Sequence, residues 1–164
     1  EIRSWHKVHP NVALHIFWDK KEVRPEVKVD SFLSFHQLND TLFIRYMAGA
    51  KAYATTAGFE SVCEAMYLGK PVLMVPTHIE QSCNAFDAVQ AGAGVVADRF
   101  DLDALLELSR THRPNPAFSH WVKQADWLIL REFRPDLLME ETPASLWRRL
   151  STRWIYRLGK RLSI

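Results

Sequence analysis

Cysteine is scarce: Cys63 and Cys83 are the two in 164 residues. Two cysteines cannot build a disulfide scaffold, and no secretory leader pattern stands at the start, so a reduced, cytoplasmic compartment is the expectation. Long hydrophobic runs are missing too. No apolar stretch approaches the roughly 20 residues that a membrane-spanning helix needs. Excess charge of one sign is also lacking, at +2 overall with 48% hydrophobic residues, and that balance excludes a disordered segment. There is no internal repeat and no low-complexity tract. The first residue is Glu1 rather than Met, and EIRSWHKVH reads as the tail of a helix, so a piece of a longer protein is expected.

The small net charge hides an asymmetry. Residues 143–164 hold six cations (Arg148, Arg149, Arg153, Arg157, Lys160, Arg161) and no acid, which leaves the other 142 residues at net −4. Nucleic-acid binding by that acidic body is therefore not expected.

Along the body, short strand patterns alternate with helical ones. Val12–Phe17 reads as a strand, and either Val27–Val29 or Phe32–Phe35 as a second. Asn39 or Asp40 caps a helix to about Ala48, with Gly49 at its stop. Ala52–Thr55 is a short strand, Thr56-Ala57-Gly58 a small-residue turn, and Glu60–Leu68 a helix closed by Gly69 and Lys70-Pro71. Val72–Val75 is an apolar run that suits a strand covered on both faces. Ile79–Ala91 follows as a helix, then a glycine-rich break, a strand at Val95–Ala97 and a helix from Asp101. Thr111–Pro116 reads as a linker, Phe118–Leu130 as a helix with Trp121 and Trp127 in the core, and Ala144 onward as helix. Strands alternating with helices of this length predict βαβ units: an α/β, doubly wound parallel sheet with C-terminal helices. The expected division is a body over 1–110 and a helical extension over 111–164.

Ligands of such sheets bind beyond the carboxyl ends of the strands, which points to two loops. At Thr55–Phe59 a strand ends in two hydroxyls and a glycine, and a helix opens. Free N–H groups at a helix start suit a phosphate, with Ser61 adding a hydroxyl and Glu64 an acceptor for a ribose diol. Ordinary turns between strand and helix use the same residue types, so this loop alone supports anion binding modestly. At Pro76–Gln81, Glu80 and Gln81 place a carboxylate and an amide side by side, a pair that can satisfy adjacent sugar hydroxyls or simply open a helix in solvent.

Taken together, the loops resemble the donor-binding half of the GT-B glycosyltransferases, in particular the plant and animal UDP-glycosyltransferases and the bacterial peptidoglycan N-acetylglucosaminyltransferase. The matching features are Gly58, Glu64, Gly69-Lys70-Pro71, the strand Val72–Pro76, Glu80-Gln81 and Asn84-Ala85. The likeness continues more weakly through Phe35–Ala48. It implies a Rossmann-like half of a bacterial GT-B enzyme that binds a nucleotide-diphosphate sugar, UDP-linked by resemblance, for hexosyl transfer to an acceptor hydroxyl. Thr56, Gly58, Phe59 and Ser61 would then hold the diphosphate, Glu64 the ribose, Glu80 and Gln81 the sugar, and Phe35 the base. No cofactor or metal is implied, the nucleotide-sugar being the substrate.

Two departures matter. Many UDP-glycosyltransferases carry a histidine where Thr56 stands, and a hydroxyl brings no charge to a diphosphate. The first strand of the donor domain and the N-terminal acceptor domain, the usual source of the catalytic base, lie outside this sequence, so the chain alone is not expected to catalyse transfer.

Other groups take plainer readings. Cys63 and Cys83 read as small buried hydrophobes. The seven histidines show no zinc-ligand spacing, and His78 on the second loop reads as a surface residue. On a helical wheel Leu146, Trp147, Leu150, Trp154, Ile155, Leu158 and Leu162 share an arc, which suits packing on a partner domain or peripheral membrane contact through 143–164. Two alternatives to a transferase remain open at this point: a membrane-docking module that works through the basic tail, and a UDP-sugar epimerase. The single glycine before Phe59-Glu60-Ser61 speaks against the epimerase.

Overall fold

A computed structural model describes residues 2–20 and 24–133, and the tail helix expected from Ala144 lies outside the described residues. The chain divides into two compact units, Glu1–Tyr46 and Met47–Ile164.

The first unit opens with α1 (Ile2–Val8), the helix expected from the opening residues, and contains β1 (Leu14–Trp18), β2 (Glu26–Lys28) and β3 (Leu33–Gln37). Both candidates for the second strand form. β3 is central, pairing parallel with β1 and antiparallel with β2, so this sheet departs from an all-parallel expectation. The reversal between β2 and β3 is an Asx turn: Asp30 Oδ1 accepts from the N–H groups of Phe32 and Leu33. The other Asp30 oxygen lies 2.8 Å from Nε2 of the buried His6. Around β3, His36 is 1% exposed and stacks with Phe17, while His15 Nδ1 sits 3.0 Å from His36 Nε2 and Tyr46 packs on both rings. A helix, α2 (Asp40–Gly49), runs from one unit into the next, with Asn39 as its cap through a bond from Leu42 N–H.

The second unit is the alternating one: β4 (Tyr53–Thr55), α3 (Phe59–Tyr67), β5 (Val72–Met74), α4 (Ile79–Gln90), β6 (Gly94–Val96), α5 (Leu102–Thr111) and α6 (Pro116–Phe133). Its three strands are parallel in the order β4-β5-β6, the Rossmann-like α/β pattern, and β5 is covered on both faces as its apolar run predicts. Burying a leucine such as Leu73 fully contributes on the order of 1.5–3 kcal/mol.

Glycine matters most at two turns. Gly69, at φ +67°, closes α3 with bonds from its own N–H to Met66 and from Lys70 N–H to Ala65. Gly94, at φ +157°, lies so close to β5 that a Cβ there would run into the Val72 carbonyl. Asp101 caps α5 by accepting from Asp103 and Ala104 N–H. α6 packs on α3, and Asn115 Nδ2 donates to Ala91 O. The core assignments on α6 fail: Trp121 is 56% exposed, Trp127 is half-buried, and no residue of the helix is buried. Among the described residues no helix is long and apolar enough to cross a membrane.

Candidate functional site

β4 and β5 are adjacent and parallel, so the loops that leave their carboxyl ends lie side by side, each feeding a helix. Gly58 precedes α3 and His78 precedes α4, both in extended conformation; Gly58 has no side chain to cap its helix and the His78 side chain does not cap α4. Two helix starts are thus left with backbone donors that no cap satisfies, in neighbouring positions, each with the positive end of its dipole facing outward.

Gly58 itself sits at φ −62°, so the left-handed position of this turn is not the glycine. It falls on Ala57, at φ +67° and wholly buried. What Gly58 provides is an open start to α3, and its carbonyl accepts from Ser61 Oγ at 3.1 Å and from Val62 N–H at 3.2 Å. Ser61 also bonds to the phenol of Tyr53, as does Thr55. Burial raises the Tyr53 phenol above its usual range, and the nearby Glu64 carboxylate pushes the same way, so it stays protonated. Burial likewise raises the Cys63 thiol, with Glu64 adding to it. Cys63 is therefore an inert thiol, whereas Cys83 is exposed on α4 rather than buried.

The loops are tied together by two amides. Gln81 Nε2 donates to Thr56 Oγ1 at 3.3 Å, and Gln81 Oε1 accepts from Thr77 N–H and from Thr77 Oγ1, both at 2.9 Å. Asn84 Nδ2 donates to Ala57 O at 3.3 Å and to Glu80 Oε1 at 3.2 Å. Thr56, Gly58, Phe59, Ser61, Glu80 and Gln81 therefore belong to the two loops and helix starts at the carboxyl end of this sheet, with Glu64 one turn further along α3. Phe59, Glu80, His78 and Ile79 are exposed, and Ser61, Glu64 and Gln81 half-buried.

Phe35 belongs to the first unit. It lies on β3, 7% exposed, with Trp18 packed 4.7 Å from its ring and the Arg3 guanidinium 5.5 Å above it. A base could stack on Phe35 only where those neighbours withdrew.

Three participants carry no role in the sequence reading. Tyr53 was legible only as a strand residue, although its two-residue spacing to Thr55 puts both on one face. Thr77 gives no signal beyond its position in a loop. Asn84 belongs to the motif, yet its contact with Ala57 spans 27 residues and no local pattern reveals it. Among the described residues no group of three or more His, Cys, Asp or Glu side chains could hold a metal ion.

Comparison with known proteins agrees with the region these loops occupy. The model of a family described as glycosyl transferase family 1 matches residues 7–109. A Caenorhabditis elegans protein named as a UDP-glucuronosyltransferase is 38% identical over 52 residues, which is 32% of this chain and 10% of that protein. The matched stretch thus spans about a tenth of the length of that relative. No solved structure matches.

Proposed function

Because the chain belongs to glycosyl transferase family 1, we propose that its second unit binds the donor, a nucleoside-diphosphate sugar with uridine as the base, for transfer of a hexosyl group to an acceptor hydroxyl. The observation that carries this reading is the pair of uncapped helix starts at the ends of adjacent parallel strands, with two amides linking them. The α3 start, with Thr56, Gly58, Phe59 and Ser61, takes the diphosphate. Glu64, one turn further along α3, accepts from the ribose hydroxyls. Glu80 and Gln81 open α4 beside it and hold the sugar, the carboxylate accepting and the amide both accepting and donating.

The chemistry follows from that placement. As the glycosidic bond to the diphosphate breaks, negative charge grows on the leaving oxygens, where helix-start N–H groups already point and need no reorganisation. The carbon released is attacked by an acceptor hydroxyl. A general base takes the proton of this hydroxyl as the new glycosidic bond forms. No metal is assigned to the diphosphate.

Ligand-observed NMR on the chain with UDP-, GDP- and dTDP-glucose tests the reading. Saturation transfer to one nucleotide, lost in Glu64→Ala, is the expected result. Equal signals for all three that persist in Glu64→Ala would remove the ribose and base assignments together.

A further inference from the structure

We infer that Asn84 is a positioning residue that couples the two donor loops: one carboxamide holds the left-handed Ala57 turn and aims the Glu80 carboxylate. This rests on the donor-binding reading above and adds to it a residue that touches no ligand.

Ala57 occupies a backbone region that residues with a Cβ avoid, φ +67°, in a connection of three residues between β4 and α3. Such a conformation persists only where its surroundings over-determine it. Two features do so here. The Ala57 methyl is wholly buried, and the Ala57 carbonyl receives the Asn84 Nδ2 bond at 3.3 Å. The turn decides how α3 begins, because Gly58 and the uncapped N–H groups follow it directly.

The same nitrogen reaches Glu80 Oε1 at 3.2 Å. Glu80 and Asn84 are four residues apart on α4, so they share a face, and the bond selects one carboxylate orientation from several open to an exposed side chain. A carboxamide nitrogen has two hydrogens, one for each acceptor. Aspartate of the same shape has none to give when ionised and would place a second negative charge against Glu80. The residue type thus matches a demand for two donors at one atom.

The test is titration calorimetry on the full chain with UDP and UDP-glucose as probes, for the parent, Asn84→Ala, Asn84→Asp, Ala57→Gly and the double variant Ala57→Gly/Asn84→Ala. Asn84→Ala is expected to weaken UDP about tenfold and UDP-glucose about a further tenfold, the size of one lost hydrogen bond to a charged group. Glycine needs no help to adopt φ +67°, so the double variant recovers UDP affinity to within about threefold of the parent while UDP-glucose stays about tenfold weaker relative to UDP. Asn84→Asp loses UDP-glucose at least as severely as Asn84→Ala. Should Asn84→Ala fail to fold, the double variant carries the comparison, since its turn no longer needs holding. Equal losses on both probes, with no recovery in the double variant, would make Asn84 a general support of the fold and overturn the inference. A parent chain that binds UDP and UDP-glucose, with Asn84→Ala unchanged on both, would overturn the inference alone. A parent chain that binds neither would overturn the donor reading and this inference together.

Discussion

Gln81 Nε2 donates to Thr56 Oγ1 at 3.3 Å, a bond between loops 25 residues apart in sequence, and the other end of the same amide is taken by Thr77. Both lone pairs of Gln81 Oε1 are therefore engaged by Thr77, while Thr56 takes one of the two Nε2 hydrogens. The arrangement is pre-organised rather than idle: the amide plane is already fixed beside the helix starts. On the proposed reading a sugar hydroxyl accepts from the second Nε2 hydrogen, or takes the place of Thr56 or Thr77 at the amide.

Replacing Gln81 by alanine separates sugar from nucleotide. On the proposed reading its sugar contacts vanish with the amide, whereas the diphosphate donors are backbone groups at the start of α3 that the change leaves in place. Affinity for UDP-glucose is expected to fall about tenfold or more, and affinity for UDP by about threefold or less, on the scale of 1.4 kcal/mol per factor of ten. Titration calorimetry with both ligands measures the split, and an equal loss on each would show that Gln81 serves the loops alone.

Gly94→Ala tests the packing beneath the site. The added methyl collides with the Val72 carbonyl of the central strand and imposes φ +157° on an alanine. Neither the β5 backbone nor the alanine can yield cheaply, so the substitution is expected to destabilise the chain by about 3 kcal/mol or more. Urea unfolding followed by tryptophan fluorescence reads this directly, and a midpoint within error of the parent would contradict the close approach of β6 to β5.

How far the sequence carried the structure depends on how local each cause was. Gly69, Asp101 and the Val72–Met74 run act within a few residues, and the elements they delimit form within one or two positions of expectation. β2 was harder to read, because Glu26–Lys28 holds a single apolar residue and its pairing depends on a turn built by Asp30. β3 hides its faces: Ser34 and His36 are buried beside Leu33 and Phe35, so no polar–apolar alternation marks it. That same burial places the Phe35 ring in a core. At the site, the residue types that favour phosphate and sugar were visible one by one. The left-handed Ala57 and the bonds from Gln81 and Asn84 were not, since they join positions 25 and 27 residues apart.

Acid should weaken the first unit before it touches the carboxylates. Burial lowers the His36 pKa, with the Glu26 carboxylate opposing this and Lys28 adding to it. Burial lowers His15 too, assisted by His36 and opposed by Glu26. His112 in the second unit is lowered by burial. A histidine with a depressed folded pKa takes up its proton more readily in the unfolded chain, so stability is complete above the ordinary value near 6.5 and falls as pH drops through the folded value. Asp30, also lowered, by the Phe32 N–H first and then by His6, contributes above its ordinary value of 3.8 and so acts in a lower window. Thermal unfolding is expected at a lower temperature at pH 5.5 than at pH 7.5. A Tm that does not change across this interval would show that these imidazoles titrate as freely folded as unfolded.

Charge neutralisation at the diphosphate gives the last test. Each helix start presents about half an elementary positive charge, and Thr56 contributes a hydroxyl where a cation would have added a whole one. On the proposed reading the diphosphate meets dipoles and neutral donors, a set that favours it without requiring a divalent ion. Affinity for UDP is expected to change by less than about twofold between buffer with EDTA and buffer with millimolar magnesium, and to fall modestly with added salt because helix-end fields are screened at the surface. An increase of about tenfold with magnesium would place the neutralising charge on a metal held with the nucleotide, and would reduce the α3 and α4 starts to positioning the ligand rather than balancing its charge.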